Sequence, residues 1–218
     1  MEFNIVDLFI HLDKYLDIAI RQYGILTYAI LFFVIFAETG FVFTPFLPGD
    51  SLLFAAGTLS VISVLNVHYL FVLLALAAVT GNSSNYLVGH LIGEKIFQKY
   101  PRFLKKEYLD RTHEFYEKHG GVTVIITRFV PIIRTFAPFV AGVGSMTFTR
   151  FSVYNITGGA LWVALFIYGG YFFGNIPLVK NNFSIVTIAI ILISILPAII
   201  EFIRQKYFLK ISEENDEL

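Results

Sequence analysis

Glu38 to Ser60 reads E-T-G-F-V-F-T-P-F-L-P-G-D-S-L-L-F-A-A-G-T-L-S. The stretch is apolar enough for a membrane, yet it cannot be one continuous helix. Pro45, Pro48 and Gly49 interrupt the hydrogen-bond ladder in its middle. Two carboxylates, Glu38 and Asp50, stand inside it. Neither a soluble core nor a simple membrane anchor needs that combination. Arg128 to Ser145 has the same character with the opposite charge: R-F-V-P-I-I-R-T-F-A-P-F-V-A-G-V-G-S. Two broken apolar segments of opposite charge predict a site between them.

The rest of the chain supplies the setting. Of its 218 residues, 56% are hydrophobic and 15% charged, and mean hydropathy is +0.72. Soluble domains carry about 25% charged residues, so this composition predicts a polytopic membrane protein. The formal net charge is zero, which gives no indication of a nucleic-acid partner. Cysteine is absent, which excludes disulfides, thiol catalysis and Cys-based metal sites. His68, His90, His113 and His119 are scattered, so no metal site and no cofactor are expected. Without a Cys nucleophile or a metal-ligand cluster, a phosphatase fits poorly, and the chain is not expected to be an enzyme.

In chain order, residues 1–22 mix apolar positions with Asp7, Asp13, Lys14 and Asp17 at helical spacing, as in an amphipathic helix lying in the interface. A first span is expected from Tyr23 to about Val42, then the broken stretch at about 43–65. Asp50, after Pro48-Gly49, is placed to cap a new helix. His68 to about Ile92 forms the next span. Its Gly81, Asn85, Gly89 and Gly93 recur on one face, where small residues allow close packing. Asn82, Ser83 and Ser84 either bond between helices or line a polar path. The connection 94–118 is rich in Lys and Arg, which places it in the cytoplasm, with amphipathic pieces on the headgroups. The second broken stretch, about 120–146, precedes ordinary spans at Phe151–Gly174 and Phe183–Ile203 and a polar tail, 204–218.

Parity chooses the topology. If both broken stretches are re-entrant, Lys14 and Arg21 at one end and Arg204, Lys206 and Lys210 at the other all lie inside, as does the basic connection. If either crosses fully, one of these clusters is stranded outside. The expected architecture is therefore all-α: four transmembrane helices, two oppositely oriented re-entrant hairpins, and both termini cytoplasmic. Pro45 matches Pro131, and Ala56-Gly57-Thr58-Leu59-Ser60 matches Ala141-Gly142-Val143-Gly144-Ser145 with one gap. That is an inverted repeat, in which a site forms at the repeat interface.

Glu38, Asp50, Arg128 and Arg134 each cost about 2.5–3.5 kcal/mol at a helix centre, so they must be paired, hydrated or functional. One alternative is two structural salt bridges. The other divides the work. Arg128 and Arg134 grip a phosphate with their planar guanidinium groups, and Glu38 and Asp50 carry a proton or cation. Ser51, Asn82, Thr135 and Asn155 are candidates to line the path.

These residues also carry a resemblance. Glu38 with F-x-P-F-L-P-G-D-S-L-L-F-A-A-G, then G-x-x-x-x-Y-x-x-G-x-x-x-G from Gly81 to Gly93, F-Y-E-K-H-G before the arginine stretch, and N-x-x-G-G-A-x-W from Asn155 resemble the DedA family of bacterial inner-membrane proteins. Its wider superfamily includes eukaryotic VTT-domain scramblases. The likeness spans about Gly24 to Ile203. It implies a lipid transporter of the cytoplasmic membrane, notably for undecaprenyl phosphate, with the family's functional charges at Glu38, Asp50, Arg128 and Arg134. Many relatives have Asp where Asn82 stands and Arg where His90 stands. A general phospholipid scramblase, a phosphatidylethanolamine flippase and a proton-coupled ion or drug antiporter are the rival expectations, and an oligomer is compatible with all of them.

Overall fold

The computed structural model describes residues 11–41, 49–99, 121–144, 146–190, 192–193 and 196. Among these residues every regular element is helical. They are α1 (Leu12–Tyr23), α2 (Thr27–Gly40), α3 (Gly49–Ser60), α4 (Val67–Lys99), α5 (Val122–Ile126), α6 (Pro131–Val143), α7 (Phe148–Phe173) and α8 (Pro177–Asn181), followed by helical residues 183–190. Single 3₁₀ turns, Gly24–Leu26 and Thr127–Phe129, join α1 to α2 and α5 to the start of α6.

Leu12, Leu16 and Ile20, four residues apart, form the buried stripe of α1, which packs on α3. Gly24 ends the helix with φ +54°, a conformation that a residue bearing a Cβ rarely adopts. The chain therefore changes course before α2 rather than running straight through. α2 has 14 residues, about 21 Å, and stops at Gly40, with Phe41 extended. The helix expected to reach Val42 thus ends two residues sooner.

Among the described residues three segments are long and apolar enough to cross a membrane: Leu12–Gly40, Val67–Ile92 and Phe148–Phe173. The last two hold 26 residues each, about 39 Å, against a hydrocarbon core of about 30 Å. α7 starts at Phe148 rather than Phe151. α4 continues to Lys99, so the polar connection expected from Glu94 begins as an extension of the span. The rest of that connection, the first limb of the 43–65 stretch, most of the Phe183–Ile203 span after residue 190, and the 204–218 tail lie outside the described residues.

The second broken stretch breaks where proline dictates, whereas the break of the first, around Pro45 and Pro48, lies outside the described residues. Val130 precedes Pro131 and takes the extended conformation that a pre-proline residue prefers, with φ −119° and ψ 102°. Pro131 then opens α6 at a position where its missing N–H costs nothing. α6 has 13 residues, about 20 Å, and α5 only five, so neither limb alone reaches across a bilayer. Pro138 offers no N–H to the Arg134 carbonyl four residues back, which loosens α6 at the residue that carries its charge.

Apolar side chains line the outside as well as the core, and a group of polar and charged side chains is buried among them. Phe33, Val72, Leu76, Leu91, Val153, Leu161 and Leu165 are exposed, whereas Glu38, Asp50, Asn82, Asn85, Arg128, Arg134, Thr135 and Asn155 are buried. That exterior suits a lipid solvent. α4 lies at the centre, against α2, α6 and α7, and α3 packs along α7. The α3–α7 contact is backbone-close. A Cβ on Gly57 would fall on the Ile167 carbonyl, and one on Gly170 would fall on the Phe54 carbonyl.

Gly57→Ala should therefore force α3 off α7 and destabilise the protein by about 1–3 kcal/mol. Gly169→Ala, one residue from Gly170 but with only the Phe54 ring nearby at 4.0 Å, should be neutral or slightly stabilising. Thermal unfolding of the detergent-solubilised variants measures the contrast.

Candidate functional site

The four charges foreseen from sequence converge in the interior. Arg134 on α6 donates from Nη1 to Asp50 Oδ1 on α3 at 2.7 Å, and from Nη2 to Glu38 Oε1 on α2. Three helices are thus tied through one guanidinium group. Glu38 is 0% exposed and Arg134 3%. Arg134 lies in the first turn of α6, where the helix dipole disfavours a cation, so two carboxylates balance both the charge and the dipole. Asp50 is itself in the first turn of α3 rather than capping it, the favourable end for an anion. Gly49 makes room for Glu38, since a Cβ there would overlap its carboxylate.

Trp162, on α7, closes this cluster. Its indole Nε1 donates to Asp50 Oδ1 at 2.9 Å, the same oxygen that receives Arg134. The Arg134 guanidinium lies 4.9 Å from the indole ring centroid, in cation–π range. Trp162 is completely buried. Sequence reasoning recorded it only within a motif. The available signal was spacing: Asn155, Gly158, Gly159 and Trp162 fall at i, i+3, i+4 and i+7, one face of α7, and all four are buried.

Arg128 is placed differently. It sits in the 3₁₀ turn after α5, is 1% exposed, and has no carboxylate partner among the described residues. Nη2 donates to the Asn155 side-chain oxygen and to the Asn155 carbonyl at 3.2 Å. Asn155 is held in turn by donation from Nδ2 to the Val79 carbonyl, 2.9 Å, and to Ser83 Oγ, 3.1 Å. In the amide orientation that satisfies both its ends, Asn82 accepts from Arg128 Nη2 at 2.8 Å and donates to the Thr39 carbonyl at 3.3 Å. Gly158 and Gly159 admit the arginine: their Cβ atoms would lie 3.2 Å from Arg128 Cδ and 3.3 Å from Nη2. Arg128 Nε and Nη1 have no hydrogen-bond partner. A buried guanidinium with two idle donors is costly, and neutral amides only partly offset the cost. Arg128 still lies within electrostatic reach of Arg134 and Glu38.

The structure places the residues expected to line the path as follows. Asn155 and Asn82 surround Arg128. Ser51 is buried beside Asp50, its hydroxyl without a partner. Thr135 is buried next to Arg134, and its carbonyl accepts from Asn85 Nδ2 on α4 at 2.6 Å. Asn85, Thr39 and Ser83 belong to the same polar interior; in the sequence Asn85 was read within a packing face, Ser83 as bonding between helices or lining a polar path, and Thr39 was not singled out. No group of His, Asp and Glu with metal-binding spacing occurs among the described residues.

The family model for the VTT domain matches residues 47–172. The chain is 52% identical over 205 residues to "Protein DedA" of Escherichia coli K12, covering 93% of this chain and 94% of the relative. It is 42% identical over 174 residues to an "Uncharacterized membrane protein" of Mycobacterium tuberculosis, 78% of this chain and 76% of that one. It is 34% identical over 151 residues to "Inner membrane protein YqjA" of Escherichia coli K12, 69% of each chain. No solved structure matches.

Removing one member of the buried pair leaves uncompensated charge. Arg134→Met should cost about 3–5 kcal/mol. Combining it with Glu38→Gln and Asp50→Asn should recover part of the loss, because the neutral triad no longer buries charge. Unfolding midpoints of the single and triple variants test this, and an equal loss in both would show that the pairing is not what stabilises the site.

Proposed function

The chain belongs to the DedA family of VTT-domain membrane proteins, and from that premise we propose that it carries a lipid phosphate, undecaprenyl phosphate, across the cytoplasmic membrane in exchange with or alongside a proton. The observation that supports this most is Arg128: a buried guanidinium with idle donors and no acid of its own. A phosphate monoester supplies what that group lacks, two or more oxygens in the plane of the fork.

Charge balance connects the anion to the proton. Glu38, Asp50, Arg128 and Arg134 sum formally to zero. Adding an anion makes the cluster negative unless a proton enters with it. Protonating Glu38 or Asp50 removes one negative charge and releases one arm of Arg134. The cluster is therefore close to neutral in two conditions: empty with both acids ionised, or loaded with the phosphate as its monoanion and one acid protonated. Intermediate combinations bury net charge, which is expensive at this depth. In this scheme Arg128 is the resident headgroup ligand, and Arg134 joins it once an acid lets go. The prenyl tail stays in the bilayer, against the exposed apolar faces of α4 and α7.

The re-entrant hairpins, the inverted repeat and cytoplasmic termini belong to the same reading. The short limbs α5 and α6, and the break at Val130, support hairpins that enter and leave on one side. Residues 1–22 as an interfacial helix, and the positively charged connection and tail inside, complete the topology.

Vesicles containing the purified protein and undecaprenyl phosphate provide the test. Wild-type protein should equilibrate the lipid between leaflets, faster with an imposed proton gradient. Arg128→Ala should slow it about ten- to a hundredfold, the worth of a charge-assisted hydrogen-bond pair. If phosphatidylethanolamine competes as well as the phosphate and the gradient has no effect, the protein is a general scramblase. If the lipid does not move, the proposal fails.

A further inference from the structure

Trp162 touches both members of the Asp50–Arg134 pair, and it does so from a helix that contributes no charge to the cluster. We infer that Trp162 is the positioning residue through which α7 senses whether the Asp50–Arg134 pair is closed or open. The inference rests on the proton-coupled reading above and adds a residue and an element to it.

Two contacts act together. The Trp162 N–H donates to Asp50 Oδ1 at 2.9 Å, and Arg134 donates to the same oxygen at 2.7 Å. The Arg134 guanidinium also faces the indole at 4.9 Å. An indole N–H is a donor only. It therefore favours the ionised carboxylate over the neutral acid, which is a poorer acceptor. The ring face favours a cation above it. Both contacts stabilise one state: Asp50 ionised, Arg134 paired, α7 close against α3. Protonation of Asp50 would weaken both at once. Arg134 then keeps Glu38 as its counter-ion and is free to turn toward Arg128 and an incoming phosphate.

α7 is well placed to transmit the change. Along one face it holds Asn155, which binds Arg128, and Trp162, which binds Asp50 and Arg134, with Gly158 and Gly159 between them. Farther along, Gly170 lies directly against the Phe54 carbonyl of α3. One rigid helix thus carries a ligand of each arginine's surroundings, so movement at Trp162 is felt at Asn155. Among the described residues, Glu38 from α2 and Arg134 from α6 act on Asp50, and Arg128 from the 3₁₀ turn after α5 acts in turn on Glu38 and Arg134. α7 itself adds the indole.

Trp162 is the only tryptophan in the chain, so intrinsic emission reports the surroundings of this one side chain when excited at the red edge, where the 12 tyrosines do not absorb. Full-length protein in detergent, without lipid, should show a pH-dependent emission change that Asp50→Asn abolishes. A flat wild-type titration, or an Asp50→Asn variant that titrates like wild type, overturns the inference. Because this arm needs no lipid, it fails separately from the transport reading. In vesicles, Trp162→Phe keeps an aromatic face for Arg134 but removes the donor. The pH profile of undecaprenyl phosphate transport should move up by about one pH unit, as expected when one hydrogen bond to an ionised group is lost. A uniform fall in rate with the profile unmoved would mean that Trp162 only packs, and would also overturn it. Should Trp162→Phe fail to fold, the emission comparison decides.

Discussion

One guanidinium group holds this architecture in place. Arg134 reaches from α6 to Asp50 on α3 and Glu38 on α2, all three of them buried. Those helices come from the two broken stretches and the span before them. Breaking the pair strands charge in a low-dielectric environment, which costs far more than a surface ion pair contributes. The helix ends agree with the charges: Asp50 starts α3, where an anion is favoured, and Arg134 starts α6, where a cation needs the compensation that the two acids provide.

From that constraint follows the contrast between the two arginines. Arg134 is neutralised, and Arg128 has only amide and carbonyl partners. A site needing nothing but structural salt bridges would pair each arginine with its own acid. The asymmetry leaves one cation available while the total charge stays at zero. An anion and a proton can then enter together without net charge being buried. Glycines do the spatial work: Gly49 clears a place for Glu38, and Gly158 and Gly159 for Arg128.

The membrane class and the helical breaks were legible because proline, glycine and hydropathy act locally. Val130 takes the extended conformation that a residue before proline prefers, whereas the break before α3 lies outside the described residues. The four charges were legible because an ionisable group in an apolar stretch is conspicuous. Which charge pairs with which was not. Arg134 lies 84 residues from Asp50 and 96 from Glu38, and only the fold decides that it takes both. Asp50 looked like a cap, since Pro-Gly-Asp-Ser is a helix-start pattern, yet its carboxylate is turned to Arg134 and Trp162. Trp162 was hidden because an aromatic residue in an apolar helix looks like lipid-facing filler. Its burial depends on Asn155, Gly158 and Gly159 forming one polar and small face with it. Asn85 was hidden in a stripe of small residues, where its position also suits packing.

The central claim is that the buried cluster accepts an anion only together with a proton. Proton uptake on ligand binding measures this directly. Detergent-solubilised protein in weakly buffered solution, titrated with a short-chain prenyl phosphate, should take up about one proton for each ligand bound beyond that needed to make the phosphate a monoanion, by the linkage between charge states. Binding with no such proton uptake, at a pH where Glu38 and Asp50 remain ionised, would contradict it.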